Sequence, residues 1–189
     1  MTSILDQHIA AAVEALRRGG AIAYPTEAVF GLGCDPTNRN AVARVFELKL
    51  RPAGQGVLLI AADFAQVEKY VDADRVPAAA LARALATWPG PHTWVFPRAA
   101  TTPASLAGAH RGIALRVTAH VPAAALCRAF GGALVSTSAN RHGEEPARTA
   151  AAVRSAFGTG LAYILDAPIG GLDRPTPIRD VLSGEVIRT

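Results

Sequence analysis

The chain has little of what most catalytic signatures require. Only two of its 189 residues are Cys, at 34 and 127. They are far apart, with no Cys-x-x-Cys or Cys/His spacing, so they read as reduced, largely buried thiols rather than a metal or redox pair. Five His are scattered without ligand spacing, which excludes a recognisable protein-built metal cluster. There is no G-x-x-x-x-G-K-[ST], no G-x-G-x-x-G after the first strand and no G-x-S-x-G. A P-loop, a dinucleotide fingerprint and an elbow-borne serine nucleophile are thereby excluded. No apolar run approaches the roughly 18 residues of a membrane span. The opening "MTSILDQHIAAAVEALRRGG" is an amphipathic helical pattern containing Asp6 and Glu14, not a secretory signal, so the expected location is the cytoplasm without a membrane partner.

Two scarcities concern charge. Lys occurs only at 49 and 69, against seventeen Arg. From Arg75 to Gly143 there is no Asp or Glu, while seven Arg occur, and the rest of the chain holds 12 basic and 15 acidic residues. An acid-free middle third fits an anion-binding face for a phosphorylated ligand or nucleic acid, and equally a set of solvated Arg.

Half of the residues are hydrophobic, which suits one domain over 1–189 with a substantial core. Helical spacing is predicted for Leu5 to Arg18, stopped by Gly19-Gly20, and again around Ala41, Val42, Val45, Phe46 and Leu48 with Thr37 or Asn38 as N-cap. Further helices are expected from an Asp63 cap to about Val71, from Pro77 to Trp88, from Pro122 to Phe130, and after Thr149. Strands are expected at "AIAY", "GVLLIA", "TWVFP", "IALRV", "ALVST", "AYILD" and "EVIRT". The class is α/β, with helices on the faces of a sheet.

Three stretches carry polar chemistry. In "YPTEAVFGLGCD" a strand runs into Thr26 and Glu27, then Gly31 and Gly33, which reads as a ligand loop or as a close-packed turn. In "ELKLRPAGQG", Lys49 and Arg51 flank a helix end and a loop closed by Pro52 and two glycines. A compact ammonium kept where Arg is used almost everywhere else suits a phosphate contact, although helix C-termini attract cations anyway. In "GGALVSTSANRHG", Ser136, Thr137, Ser138 and Asn140 follow a core strand. Such groups bond phosphate oxygens, ligate Mg²⁺, or close a self-contained turn. Strand alternation puts Ser136 and Ser138 on one side.

In this order, "PTEAVFGLG", "KLR", "WPGPHTWVF", "LRV", "STSAN" and "RPTPIRDVLSGEVIR" resemble the YrdC/TsaC family, the threonylcarbamoyl-AMP synthases, in its short single-domain form. The pairing of Lys49-Leu50-Arg51 with Ser138-Ala139-Asn140 is the most diagnostic part. The resemblance implies a three-layer α/β YrdC-like fold, with a twisted mixed sheet, helices on both faces and a large concave positive cavity. It implies an enzyme, a nucleotidyltransferase, that makes threonylcarbamoyl-AMP and pyrophosphate from ATP, L-threonine and bicarbonate. Downstream proteins then transfer the threonylcarbamoyl group to tRNA beside the anticodon. Lys49, Arg51, Ser138 and Asn140 would be catalytic. They would bind ATP together with Ser136, Thr176 and Arg179, while Thr26 and Arg116 would face threonine or bicarbonate. Asp180, next to Arg179, is a further strand-end candidate. Mg²⁺ would come with ATP, shared through Ser138 and Asn140. Lys49 and Arg51 would stand exposed in the empty cavity, so replacing them should cost activity and not stability.

Four positions depart from the family pattern: Ala28 and Phe30 replace a hydroxyl pair, His142 a serine, and Ile60 a histidine of longer relatives near the amino-acid pocket. A non-catalytic RNA-binding or ribosome-maturation module is the competing class, and direct contact with tRNA is open under both. Trp88 and Trp94 lie in apolar contexts, and little aromatic interleaving supports RNA binding. A carbamoyl-transfer role in hydrogenase maturation is a third option.

Overall fold

The structure, a computed structural model, describes residues 3–51 and 55–188. Pro52 and Gly54, expected to close the loop after Arg51, lie outside the described residues. The strands are β1 (Ile22–Pro25), β2 (Phe30–Gly33), β3 (Leu58–Ala61), β4 (Thr93–Pro97), β5 (Gly112–Val117), β6 (Leu134–Ser138), β7 (Tyr163–Ile164), β8 (Ile178–Asp180) and β9 (Val186–Arg188). They form one mixed sheet in the order β7-β1-β2-β6-β3-β5-β4-β8-β9. The helices are α1 (Ile4–Arg17), α2 (Arg39–Leu48), α3 (Ala78–Leu85), α4 (Ala104–Ala107), α5 (Val121–Phe130) and α6 (Ala150–Phe157). No described helix is long and apolar enough to cross a membrane.

Local chemistry sets the helix ends. Ser3 and Asp6 form a reciprocal capping box on α1. Asn38, not Thr37, caps α2 by accepting from the Asn40 and Ala41 amides, a contact worth about 1 kcal/mol. Thr149 caps α6. Asp63 does cap, but it starts short 3-10 turns rather than an α-helix. The buried residues there, Val67 and Tyr70, are three apart, which suits a three-residue turn. The helix expected from Pro77 to Trp88 ends at Leu85.

Two strands escape the sequence reading. β2 looks like a glycine turn but is a full strand between β1 and β6. Its alternation is hidden because one face is glycine. A Cβ at Gly33 would lie 2.7 Å from the Tyr24 ring, and one at Gly31 3.3 Å from Ser136 Oγ. β8 has three residues, too few to show a period.

Strand alternation divides the core. Leu59, Ala61, Ile113, Leu115, Trp94, Phe96 and Val135 face α2, α3, α4 and α6. On the opposite face, Ile22, Tyr24, Ile60, Ala62 and Leu134 are covered by α1 and α5. These two helices leave part of that face uncovered. The same-parity residues Leu58, Ala114, Val95, Ser136 and Ser138 are left open, and they floor a cavity.

Candidate active site

The cavity has a volume of about 730 Å³, within the usual range for small-ligand sites. Lys49, Arg51, Arg111, Arg116 and Arg188 line it, with His110 and His142, and none of its lining residues is acidic. It spreads along the sheet face rather than beyond one carboxyl edge. β3 and β5 run parallel while β6 is antiparallel to β3, so strand ends from both edges reach it.

The Lys-x-Arg geometry comes from how α2 ends. The amide of Arg51 bonds to Phe46 O and that of Leu50 to Glu47 O, which is a Schellman closure. The left-handed residue it demands is Leu50, at φ 52°, where glycine is usual. A side chain there costs about 1–2 kcal/mol. The turn brings Lys49 and Arg51 to the same cavity. Leu50→Gly is expected to raise stability by up to about 1 kcal/mol, the strain relieved being partly offset by a looser unfolded chain. Urea midpoints for the two proteins would check this.

Lys49 is not exposed as expected: it is 5 % accessible. Its ammonium donates to Ser138 O, to Asn140 O at 2.8 Å and to Asn140 Oδ1 at 3.2 Å, which uses all three N–H groups. In return, the His142 amide donates to Lys49 O at 3.0 Å. Burial, with the nearby Arg51 charge, pushes the Lys49 ammonium down to about 8. Arg51 is half-buried over the Phe46 ring, donating to Gln55 Oε1 and to Gly56 O at 3.2 Å. Burial and Arg188 lower its pKa.

Ser136 and Ser138 both reach the cavity, as alternation predicts. Asn140 borders it too, but its side chain also closes the turn. Its Oδ1 accepts from Ser138 Oγ and Lys49, and its Nδ2 donates to Arg141 O at 3.0 Å and Glu144 O at 2.8 Å. The segment is therefore both a cavity wall and a hydrogen-bonded turn. As a magnesium site its oxygens fit poorly, because a dication on Asn140 Oδ1 would sit against the Lys49 ammonium. No His/Cys/Asp/Glu cluster that could hold a metal occurs among the described residues.

At another end lies a buried polar network. Arg116 pairs with Glu27 at 3.1 Å, and both side chains are about nine-tenths buried. Its Nε and Nη2 donate to Thr93 Oγ1 at 3.1 and 2.9 Å, and Nη2 also donates to Thr176 Oγ1. The other Glu27 oxygen accepts from Thr118 Oγ1 at 2.6 Å. One N–H, on Nη1, is left over. Thr26 lines the cavity while its hydroxyl donates to Val29 O at 2.7 Å, closing its own turn.

Arg179 and Asp180 are not at the cavity. The neighbouring Ile178 lines it, so alternation turns Arg179 to the other face, where it donates to Gly184 O at 3.4 Å. Asp180 accepts from the Leu182 and Ser183 amides and closes the β8–β9 turn. Ile60 is fully buried under α1 and α5, away from the cavity, whereas Ala28, Phe30 and His142 border it. Cys34 and Cys127 are buried thiols pushed up to about 12, hence unreactive. Trp94 is core, and Trp88 packs against it. The sequence reading missed His110, Arg111 and Arg188. The acid-free stretch contained the first two, but nothing local separates them from surface residues.

A family model named Sua5/yciO/yrdC and described as "Telomere recombination" matches residues 14–189. The chain is 53 % identical over 173 residues to a protein of Halorhodospira halophila named threonylcarbamoyl-AMP synthase, covering 92 % of this chain and 90 % of that one. It is 48 % identical over 178 residues to one of the same name from Xanthomonas campestris, covering 94 % and 95 %. It also superposes on P. abyssi Sua5 complexed with L-threonine, with a TM-score of 0.84 at 31 % identity. That match covers 91 % of this chain and about half of the P. abyssi chain.

Proposed function

The chain belongs to the Sua5/yciO/yrdC family, and from that premise we propose that it is an enzyme making threonylcarbamoyl-AMP and pyrophosphate from L-threonine, bicarbonate and ATP. The observation that carries this reading is the cavity itself. It gathers uncompensated cations, the Ser138–Asn140 turn and a buried, ion-paired arginine around one space large enough for a nucleotide and an amino acid. A non-catalytic RNA-binding module would need neither this enclosure nor two chemically distinct ends.

The reaction has two parts. The threonine amine adds to the carbon of bicarbonate or CO₂, with loss of water from bicarbonate or of a proton to solvent when CO₂ reacts, giving a carbamate. A carbamate oxygen then attacks the α-phosphorus of ATP, and the bond to the bridging oxygen of pyrophosphate breaks. No covalent enzyme nucleophile is required, which suits a site of cations, hydroxyls and amides. In this assignment Arg51, Arg111 and Arg188 hold the triphosphate. Lys49 adds its charge while shaping the turn that presents Ser138, and Ser136 borders the adenylate. Arg116 and Thr176, with Thr26, receive the threonine carboxylate and backbone. Bound substrates filling the cavity would displace water from the labile carbamate. Mg²⁺ would be carried by the ATP phosphates rather than by a protein-built site. A cytoplasmic setting, transfer proteins that take the product to tRNA, and tRNA at the cavity mouth complete the proposal.

The test is pyrophosphate release by the purified chain with threonine, bicarbonate and Mg²⁺ each left out in turn. Release is expected to require all three and no tRNA. Release indifferent to threonine would overturn the reading in favour of another adenylation.

A further inference from the structure

We infer that Glu27 is a specificity-determining residue: by neutralising Arg116 it keeps polyanions out of that end of the cavity and reserves it for a singly charged carboxylate. The inference deepens the proposed reaction and rests on it. Glu27 does not line the cavity, so it acts through Arg116.

Arg116 is the most buried of the cavity arginines, and a guanidinium is permanently charged. In a low-dielectric wall a bare cation would attract phosphate more strongly than the half-exposed Arg51 or the exposed Arg111 and Arg188. ATP would then have two competing places for its phosphates. Gly112, beside Arg111, and Arg116 lie four residues apart on β5, or about 13 Å, while the exposed Arg188 stands in the strand row of Ile178 and Thr93 and reaches in between them. Occupation of the wrong end would block the amino acid.

The ion pair removes that competition. Glu27 cancels the charge, and Thr93 and Thr176 take three more bonds, leaving one N–H on Nη1 of a side chain that lines the cavity together with Thr26, Thr93 and Thr176. One N–H within a net-neutral pair suits a carboxylate far better than a triphosphate. Lys49, Arg51, Arg111 and Arg188 have no acidic partner within the salt bridges of the described residues.

Glu27 is also held so that it cannot swing away. Thr118 Oγ1 donates to it at 2.6 Å and itself accepts from the His120 amide at 3.0 Å, which points the hydroxyl hydrogen at Glu27. The segment after β7 crosses behind it, with the Gly170 amide on Thr26 O at 2.9 Å and the Leu172 amide on Glu27 O at 3.1 Å. A Cβ at Gly170 would come within 2.5 Å of Glu27 O, so the strap lies directly against the loop.

The test is calorimetric titration of inorganic pyrophosphate into the unmodified protein, Glu27→Gln and Glu27→Asp. Glu27→Gln keeps the shape and removes the charge. It is expected to bind pyrophosphate at least tenfold more tightly and to make pyrophosphate compete with L-threonine, while Glu27→Asp behaves as the unmodified protein does. A purely structural role for Glu27 would not produce a gain in anion affinity. A folded Glu27→Gln whose pyrophosphate affinity stays within twofold overturns the inference. Should Glu27→Gln not fold, the unmodified protein decides: saturating pyrophosphate should change threonine affinity by less than twofold, and a tenfold weakening sinks the idea. If the unmodified protein binds no threonine, the proposed reaction fails, and the pyrophosphate titrations still judge the role of Glu27.

Discussion

Replacing Lys49 by alanine is expected to lower kcat/KM by roughly 10²–10³-fold, about 3–4 kcal/mol of transition-state stabilisation, and to lower thermal stability as well. The second effect follows from the geometry. The ammonium bridges Ser138 O, Asn140 O and Asn140 Oδ1, so its loss frees the turn that walls the cavity. With each hydrogen bond to a charged group worth about 1.5–3 kcal/mol, and water able to replace part of them, a net loss of about 2 kcal/mol is expected. For a chain of this length that is a fall in Tm of roughly 4–8 °C. Arg51→Ala, whose side chain is only half-buried, should lose similar activity with little change in Tm. A Lys49→Ala protein with an unchanged Tm would show that the three bonds hold nothing.

The pH dependence of Lys49 has opposite signs for activity and for stability. Its folded pKa of about 8 lies below its ordinary value of 10.5. Activity should therefore fall as pH rises through about 8, because the neutral amine carries no charge toward phosphate. Between about 8 and 10.5 the unfolded chain holds the extra proton, so the Lys49 contribution to stability should rise with pH in that window. The activity decline should vanish in Lys49→Arg if titration of this group causes it.

Arg116→Ala should be the most destabilising substitution at the site. It leaves Glu27 charged, buried and with Thr118 as its remaining side-chain partner. Breaking a buried pair from one side costs about 3–5 kcal/mol, or roughly 10 °C in Tm. Removing both charges, in Arg116→Met with Glu27→Leu, should cost far less, since no unpaired charge remains. Equal destabilisation by the single and double variants would show that the pair is not coupled. Threonine-dependent turnover should be lost in both, whatever their stability, as Arg116 is the buried cation lining that part of the cavity.

The elements most legible in the sequence were those whose signal is local. The α2 cap, narrowed to Thr37 or Asn38, the α1 stop at Gly19 and the buried runs of β3, β5 and β6 each depend on neighbours within a few residues. The motif order likewise carried the family, since Lys49-x-Arg51 and Ser138-x-Asn140 are spacings along the chain. β2 was hidden because two of its four residues, on one face, are glycines, where a Cβ would press on Val135 O and Tyr24 at Gly33 and on Ser136 at Gly31. The removal of Arg179 from the site followed from strand parity, which a three-residue strand cannot reveal by pattern.

What the sequence alone determined is the class of fold, the acid-free cationic stretch and the identity of the motif residues, because composition and short-range spacing need no partner to be read. What only the tertiary structure decided is which charges remain free. Lys49 and Arg116 look alike as cationic candidates. Yet Lys49 is spent on the carbonyls of residues 138 and 140, and Arg116 is cancelled by Glu27, 89 positions away. Arg111 and Arg188, unremarkable in their local sequence, line the cavity with no acidic partner among the described salt bridges. The strength of a charge depends on burial and on the opposite charge beside it, and both are set by segments far apart along the chain.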